Sequence, residues 1–592
     1  MNTQYPFDAA LLLRKKKSLR RQLLTQTPLL EKRIAILGGS TTEEVADMLE
    51  LCLLMRGIKP QFYQSAYQQY FSDALQPEPA LQAFQPDLVY LHTSSMNIRE
   101  YPSLASNAQD VDALFAQHMD HFSSVWQGIN HHLQCPIIQN NFEEPFHRPL
   151  GNYDGSDYRG NSRFVARLNL AFAEAAQQQP ALHIHDIHYL SARIGLDRWF
   201  NPRQWYLYKY AMDMEAIVHL AWQLAGVIAS LFGASKKGLV LDLDNTLWGG
   251  VIGDDGVEGI AIGGNSAEAE AHSDLQRYAL ALKQRGILLA VCSKNDEANA
   301  RSGFVHPDSI LRQDDFSAFQ ANWENKPDNI LAIANTLNIG VDSLVFVDDN
   351  PAERELVRQQ LPAVTVPDIG NDISEFIRTL DHAALFEITS LSAEDLNRSQ
   401  QYSENAQRQS LSNHFTDYAD FLRTLEMRAR IEAFSQCNLE RITQLTNKTN
   451  QFNLTSKRYT LPDIKQMAES AQYITLAGQL TDRFGDNGLV SAIAGKIDGT
   501  HLHIELWLMS CRVLKRGLED AMFTELCQQA VLKNINTLVG YYLPTAKNSM
   551  VAHLYRDFGF SLQSENNAQS VWHLSLPLTG KPVEHFIKTD HT

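Results

Sequence analysis

The sequence predicts an α/β protein of three domains, and three observations carry that expectation. Short continuous apolar runs alternate with amphipathic helical stretches from residue 31 to about 235. The same alternation starts again at Lys236 and fades near 385. Runs of this kind, separated by helices, read as parallel sheets covered on both faces. From 416 to 577 the runs lengthen and alternate with polar residues, with a turn at Asp498–Gly499, which reads as a mixed α/β sheet. At 592 residues the chain is too long for one hydrophobic core. The expected boundaries are 1–235, 236–385 and 416–577, with a polar linker over 386–415 and a polar, frayed tail over 578–592.

In the first block, "RIAILGGSTT" is a buried strand ending in a turn at Gly38, Gly39 and Ser40, and the helix after it closes at Gly57. "PDLVYLHTSS" and "CPIIQNNF" are further strands of the same kind. Residues 216–235 are apolar enough to suggest a membrane span, but His219 and Gln223 interrupt them and a core strand follows, so they read as a buried helix closing a domain. The second block runs strand 238–244, helix 266–285, strand "GILLAVCSKN", helix 327–337 and strand "SLVFVDDN". The basic run at Arg14–Lys17, Arg20 and Arg21 has no apolar stretch after it, so it is not a signal peptide. It reads as a solvated helix face, with a docking patch for an acidic partner as the alternative.

A net charge of −17 and a pI near 5.6 argue against nucleic-acid binding, which needs a basic footprint. Six scattered cysteines, at 52, 135, 292, 437, 511 and 527, form no C-x-x-C pair. That excludes a zinc ribbon and fits a reducing, cytoplasmic setting with no membrane association.

The chemistry gathers in the second block. "LVLDLDNTLW" ends an apolar strand with Asp242 and Asp244, and Asp348 and Asp349 end "LVFVDD". Ser293 ends "LLAVCS" and Lys326 opens the helix after "NWENK". Ligands of open α/β sheets bind beyond the carboxyl ends of the strands. Carboxylates gathered there need a hard divalent cation with oxygen ligands, for which Mg²⁺ is the usual choice. These residues, in this order and spacing, resemble the four motifs of the haloacid dehalogenase (HAD) superfamily. The resemblance implies Asp242 as a nucleophile that becomes an aspartyl-phosphate and Asp244 as acid and base. It places Thr246, Ser293, Asn295 and Lys326 at the phosphoryl group. Asp242, Asp348, Asp349 and Asp244, the last through its backbone carbonyl, are implied around Mg²⁺. Residues 294–325 leave no room for a lid domain, and "GGVIGDDGVEGIAIGG" suffices only for a hairpin flap, so the site is expected to be open to bulky substrates.

"LDLDNTLWGGVIGDDGVEGI", "VCSKND" and "FVDDNPAERE" are more specific, and they resemble the FkbH-like proteins (HAD subfamily IIIC) over nearly the whole chain. The resemblance implies an N-terminal domain like an SGNH hydrolase and a C-terminal domain like a GNAT acyltransferase. It also implies loading of a glyceryl unit from 1,3-bisphosphoglycerate onto the phosphopantetheine thiol of an acyl carrier protein. "MSCRVLKRGLEDAM" is similar to the GNAT pyrophosphate loop R/Q-x-x-G-x-G/A. Arg512 and Gly517 match it, Lys515 replaces its first glycine, and Lys515 and Arg516 are candidate phosphate ligands. "PTAKNSMVAHLYRDFGF" is similar to the late GNAT helix, which makes Asn548 and Tyr555 candidate substrate residues, and "DRFGDNGLVSAI" also looks like the family's wording. Cys511 precedes a helix start beside Arg512, where a thiolate able to carry an acyl group is favoured; a packing residue is the alternative. His501 and His503 read as core or surface residues, with a base as the alternative.

In the N-terminal block Ser40 stands where an SGNH nucleophile would, and Asn97 resembles a third-block asparagine. Phe200 occupies the place of the catalytic histidine, and Asp186 and His188 have the wrong spacing for D-x-x-H, so a non-catalytic binding or scaffolding module is expected. The expected function is glyceryl loading of a carrier protein. The rivals are a plain Mg²⁺-dependent phosphatase with an inactive GNAT-like part, and a coenzyme A-dependent acyltransferase or scaffold.

Overall fold

The computed structural model describes residues 5–25, 29–396, 401, 404–405, 408, 411, 415, 417–449, 451–545, 548–566, 568–578 and 585–590; at 393, 394, 511 and 590 it describes the backbone. The chain divides into two compact units, residues 7–230 and residues 231–592.

In the first unit β1 (Leu30–Gly38), β2 (Ile58–Gln64), β3 (Leu88–His92), β4 (Ile137–Asn140) and β5 (Leu182–His185) form a parallel sheet in the order β2-β1-β3-β4-β5. β3 and β4 are buried along their whole length, which is why they lack a polar alternation. The basic run lies on helix Ala9–Leu23, whose Leu12, Leu19 and Leu23 are buried. Lys16 pairs with Glu44 at 2.9 Å and Arg20 with Glu50 at 2.8 Å, so part of that partly exposed run is paired within the unit. Among the described residues, helix Met214–Leu231 is long and apolar enough to cross a membrane, and most of it is buried.

The second unit begins with β6 (Gly238–Leu241), β7 (Leu288–Ser293), β8 (Phe316–Ala321) and β9 (Leu344–Val347), parallel in the order β8-β7-β6-β9. β6 is shorter than the expected 238–244. Asp242 N still donates to Val347 O at 2.9 Å, but the chain then turns through Asn245, whose φ is +55°. The expected hairpin flap is a loop closed by a bridge between Gly249 and Ala261. It carries a short helix, Ile252–Gly259, kinked at Gly256, where φ is +68°. Asp254 and Asp255 in its first turn favour helix there over a second strand.

The same unit continues into a mixed sheet. Its strands are β10 (Arg428–Glu432), β11 (Phe452–Asn453), β12 (Tyr473–Asp482), β13 (Gly485–Asp498), β14 (His501–Met509), β15 (Thr537–Tyr542), β16 (Ser561–Glu565), β17 (Ser570–Ser575) and β18 (Lys588–Asp590). The order is β16-β17-β15-β14-β13-β12-β10-β18, with β11 pairing β14 off this path. β14 and β15 run parallel, as do β10 and β18, and the other neighbours are antiparallel. Helices Leu439–Lys448 and Leu461–Glu469 pack on one face of the sheet and helix Leu518–Leu532 on the other. The tail is not wholly frayed: buried Ile587 joins the core and carries β18 onto the sheet edge, an anchor that the polar composition hid. Within 386–415, Asp395 lies 3.1 Å from Lys448 and Arg408 lies 2.7 Å from Asp482, so this polar stretch is tied to the mixed sheet's body.

Candidate active site

Because β6, β7, β8 and β9 are parallel, their carboxyl ends share one edge. Asp242 follows β6, Ser293 closes β7, Lys326 opens helix Lys326–Leu337 beyond β8, and Asp348 and Asp349 follow β9. Asp242 is 8% exposed, Lys326 2%, and Asp348 is fully buried. The Lys326 ammonium bridges two carboxylates, lying 2.8 Å from Asp242 Oδ2 and donating a short hydrogen bond to Asp348 Oδ2. Asp242, Asp348 and Asp349 each place an oxygen within 4.8 Å of the others. Asp242 Oδ1 is buried and, among the described residues, accepts no hydrogen bond. One ammonium against three carboxylates, with one buried oxygen left unsatisfied, is a donor set that fits a hard divalent cation.

The electrostatics agree. Burial raises Asp348 and Asp349 above the usual carboxylate range, and the Asp242 charge pushes both further up. Burial opposes the charge on Lys326, but Asp242 and Asp348 outweigh it and hold the ammonium protonated beyond its ordinary range.

The carboxylate of Asp244 lies outside the metal-sized group. Three donors fix it. Trp248 Nε1 and Ile252 N give to Oδ1 at 2.9 and 3.1 Å, and Asn295 Nδ2 gives to Oδ2 at 3.0 Å. Burial raises its pKa against the pull of Trp248 and Ile252, which suits an acid and base. Asn295, expected at the phosphate, instead holds the Asp244 carboxylate. Thr246, also expected there, accepts from Asp349 N at 3.2 Å and ties the two motif loops together.

Two contributors escaped the sequence reading. Trp248 stood in the quoted "LDNTLW" without a role, because nothing in a sequence shows its indole turning back on Asp244. Arg354 is buried and donates to the backbone oxygens of Asp348 and Asp349 at 2.8 and 2.7 Å, fixing the loop that presents both carboxylates. A cleft of about 460 Å³ opens beside Asp349, lined by Asn245, Glu268, His272 and Asn350 among others.

The mixed sheet's candidates behave differently. Lys515 has φ +62° and Gly517 φ +82°, so both lie in the left-handed region that favours glycine, although one is a lysine. Lys515 is exposed, whereas Arg512 Nε turns back to Ser510 Oγ at 3.2 Å. Arg516, expected at a phosphate, is buried against Asp482 at 3.2 Å and Asn405 at 2.6 Å, so its charge is spent internally. Asn548 is fully buried and brackets three backbone groups, and Tyr555 is 1% exposed in the core. Neither is presented to a ligand, because polar types in matching positions do not reveal which way they face. The Cys511 side chain lies outside the described residues. His503 Nδ1 is 2.7 Å from Tyr541 Oη and His501 is exposed, a surface placement for both.

In the first unit, Ser40 is buried and its Oγ has no partner among the described residues. Asn97 Nδ2 donates to Gly39 O at 2.8 Å, beside that serine. Phe200 stacks on Phe146 with ring centroids 3.9 Å apart, an apolar contact where a base would be needed.

A parallel HAD-like sheet with this carboxylate and lysine rim defines a phosphatase-type enzyme class, and the same unit continues into the mixed sheet. The family described as "FkbH, N-terminal domain" matches residues 33–229. The N-terminal part of a Bacteroides fragilis protein, described as containing a phosphatase domain and complexed with Mg, is 32% identical with a TM-score of 0.59. It covers 64% of this chain and 99% of that one. The ribosomal-protein-S18-alanine N-acetyltransferase of Escherichia coli, at 12% identity and a TM-score of 0.21, covers 26% of this chain and 99% of that one. No curated protein sequence matches. The chain belongs to the FkbH-like family.

Proposed function

We propose that the protein is a cytoplasmic, Mg²⁺-dependent enzyme that dephosphorylates a small phosphorylated acyl donor, 1,3-bisphosphoglycerate or a similar acyl phosphate. It transfers the glyceryl group to the phosphopantetheine thiol of an acyl carrier protein. The observation that carries the phosphatase half is the buried Lys326 bridge between Asp242 and Asp348, beside an Asp242 oxygen with no hydrogen-bond donor. The Bacteroides relative, solved with Mg, supports the choice of metal.

Asp242, Asp348 and Asp349, with the Asp244 backbone carbonyl, would hold the cation, which when bound neutralises charge on the phosphoryl oxygens. Asp242 attacks the phosphorus of the donor's phosphate ester, forming an acyl phosphate on its own carboxylate while the bond to the alcohol oxygen breaks and the donor's own acyl phosphate is left intact. Asp244, steadied by Trp248 and Asn295, gives that oxygen its proton. Asp244 then takes a proton from the water that hydrolyses the aspartyl-phosphate, restoring both carboxylates. Lys326 stays protonated throughout and offsets charge on the phosphoryl group. For the transfer half, the Cys511 thiolate attacks the acyl carbon of the donor and expels the acyl phosphate as inorganic phosphate, and the carrier thiol then attacks that thioester and releases the Cys511 thiolate.

A second reading, a phosphatase without transfer, is favoured by the internal engagement of Arg516, Asn548 and Tyr555. Incubating the enzyme with Mg²⁺, the donor and a holo carrier protein, then measuring phosphate and the carrier's intact mass, separates the two. Phosphate with a glyceryl-loaded carrier supports the first, phosphate alone the second, and neither product overturns both.

A further inference from the structure

β14 and β15 pair in parallel only from His501 to Ile504 and from Thr537 to Gly540. Beyond that point β14 continues to Met509 without β15 beside it, which leaves a notch between two diverging strands. Unpaired main-chain groups in such a notch accept any extended segment that carries amides. A phosphopantetheine arm, with its two amide groups, is one such segment, whether on coenzyme A or on a carrier protein.

In this chain the notch already has an occupant. Phe452 and Asn453 pair antiparallel with Met509 and Leu508. Leu454 N donates to Trp507 O at 3.1 Å on one side, and Leu454 O accepts from Leu543 N at 2.9 Å on the other. Thr455 Oγ1 then donates to Glu505 O at 3.0 Å. All four residues are buried.

The segment is fastened along its length. Asn548 Nδ2 donates to Asn453 O and to Leu543 O, both at 2.9 Å, and Asn548 Oδ1 accepts from Thr545 N at 2.7 Å. Asn453 Oδ1 accepts from Ser456 N at 2.9 Å, in a turn where Ser456 has φ +51°. Arg458 donates to Thr449 O at 3.0 Å and to Thr446 O, closing the loop from the far side. Displacing the segment would expose two buried apolar side chains and strip hydrogen bonds from both strands, so an arm gains little by entering.

We infer that the groove between β14 and β15 is closed by the protein's own segment Phe452–Thr455, so that it takes neither coenzyme A nor a phosphopantetheine arm. One consequence rests on the proposed loading reaction: the carrier's arm must meet the 511–517 loop from outside, where Lys515 is exposed.

Amide hydrogen exchange on the full chain, with and without millimolar coenzyme A, tests the closure. Peptides covering 452–455 and 505–509 are expected to exchange slowly, and coenzyme A is expected to change their rates by less than about 2-fold. Saturable binding of coenzyme A without a change in these peptides supports the inference, since it places the ligand elsewhere. Faster exchange over 452–455 together with new protection over 505–509 would overturn it, because the arm would then have replaced the segment. Asn548→Ala removes the latch, and it should speed exchange over 452–455. Protection over 505–509 by coenzyme A in that variant alone supports the inference, since the segment is then what had kept the arm out, whereas unchanged exchange over 452–455 would overturn it, because the segment would not be held by this latch. Neither arm reads phosphate release, so a failure here leaves the phosphatase reading standing.

Discussion

Replacing Lys326 with methionine removes the one ammonium that, among the described residues, pairs with Asp242 and Asp348, while keeping most of the side-chain volume. Both pairs are buried, with the lysine side chain 3% exposed and that of Asp348 at 0%, so solvent screening offers little relief. Removing one partner of a buried ion pair costs about 3–5 kcal/mol, because the surviving charge is left uncompensated. The pH dependence has a definite sign. The folded-state pKa of Lys326 lies above its ordinary value, so its contribution is fully present below about 10.4 and lost only as pH rises past that. The whole penalty is therefore expected at neutral pH. In the variant, Asp348, already raised by burial and by Asp242, rises further. The penalty should then shrink as pH falls, since protonated carboxyls need no cation. Urea unfolding in the presence of a chelator, followed by tryptophan fluorescence at neutral and mildly acidic pH, measures both effects. Added Mg²⁺ should restore about 2.7 kcal/mol when it reaches a hundredfold excess over its Kd. A loss below about 1 kcal/mol at neutral pH without metal would refute the charge balance described for this rim.

Trp248→Phe removes a 2.9 Å donor from Asp244 and so raises its pKa further. The descending, alkaline limb of the kcat/KM profile, where Asp244 loses the proton it donates, should move to higher pH by about 0.5–1 unit, and an unmoved limb would mean that Asp244 is not the group titrating. Cys511→Ala should leave release of the ester phosphate by Asp242 intact and reduce carrier loading to background, whereas normal loading would remove the thioester step. In the first unit, burial pushes Glu143 up to about 7 from 4.5, even though it accepts from Ser95. A raised carboxyl stabilises the fold fully below about 4.5 and loses that contribution as pH rises towards 7, by at most about 3 kcal/mol. Glu143→Gln should flatten that slope in a stability-versus-pH series, and an unchanged slope would assign it to another group.

The phosphatase rim was legible because parallel strands bring their carboxyl ends together, so residues 242, 293, 326 and 348 could be placed on one edge from apolar runs alone. What each side chain does within that rim was less legible. Asn295 and Thr246 have the right chemistry for a phosphate, but the structure spends their groups on Asp244 and Asp349, a choice made by turn geometry that no spacing reveals. The mixed sheet repeats the lesson more strongly. Arg516, Asn548 and Tyr555 sit at matching positions in the sequence pattern but are turned into ion pairs, backbone brackets and core. β11 is two residues long and β18 three, too short to carry a periodicity, and both pair with strands distant in sequence.

The central claim is that Asp242 is a nucleophile held ready by Lys326 and a bound cation. The most direct measurement is rapid quenching of the enzyme with Mg²⁺ and the acyl phosphate donor, followed by peptide mass analysis. The account predicts a phosphoryl group on the peptide carrying Asp242, absent without Mg²⁺, and loss of both this adduct and phosphate release in Asp242→Asn. Phosphate release retained in that variant, or a phosphoryl group found on another residue, would contradict it.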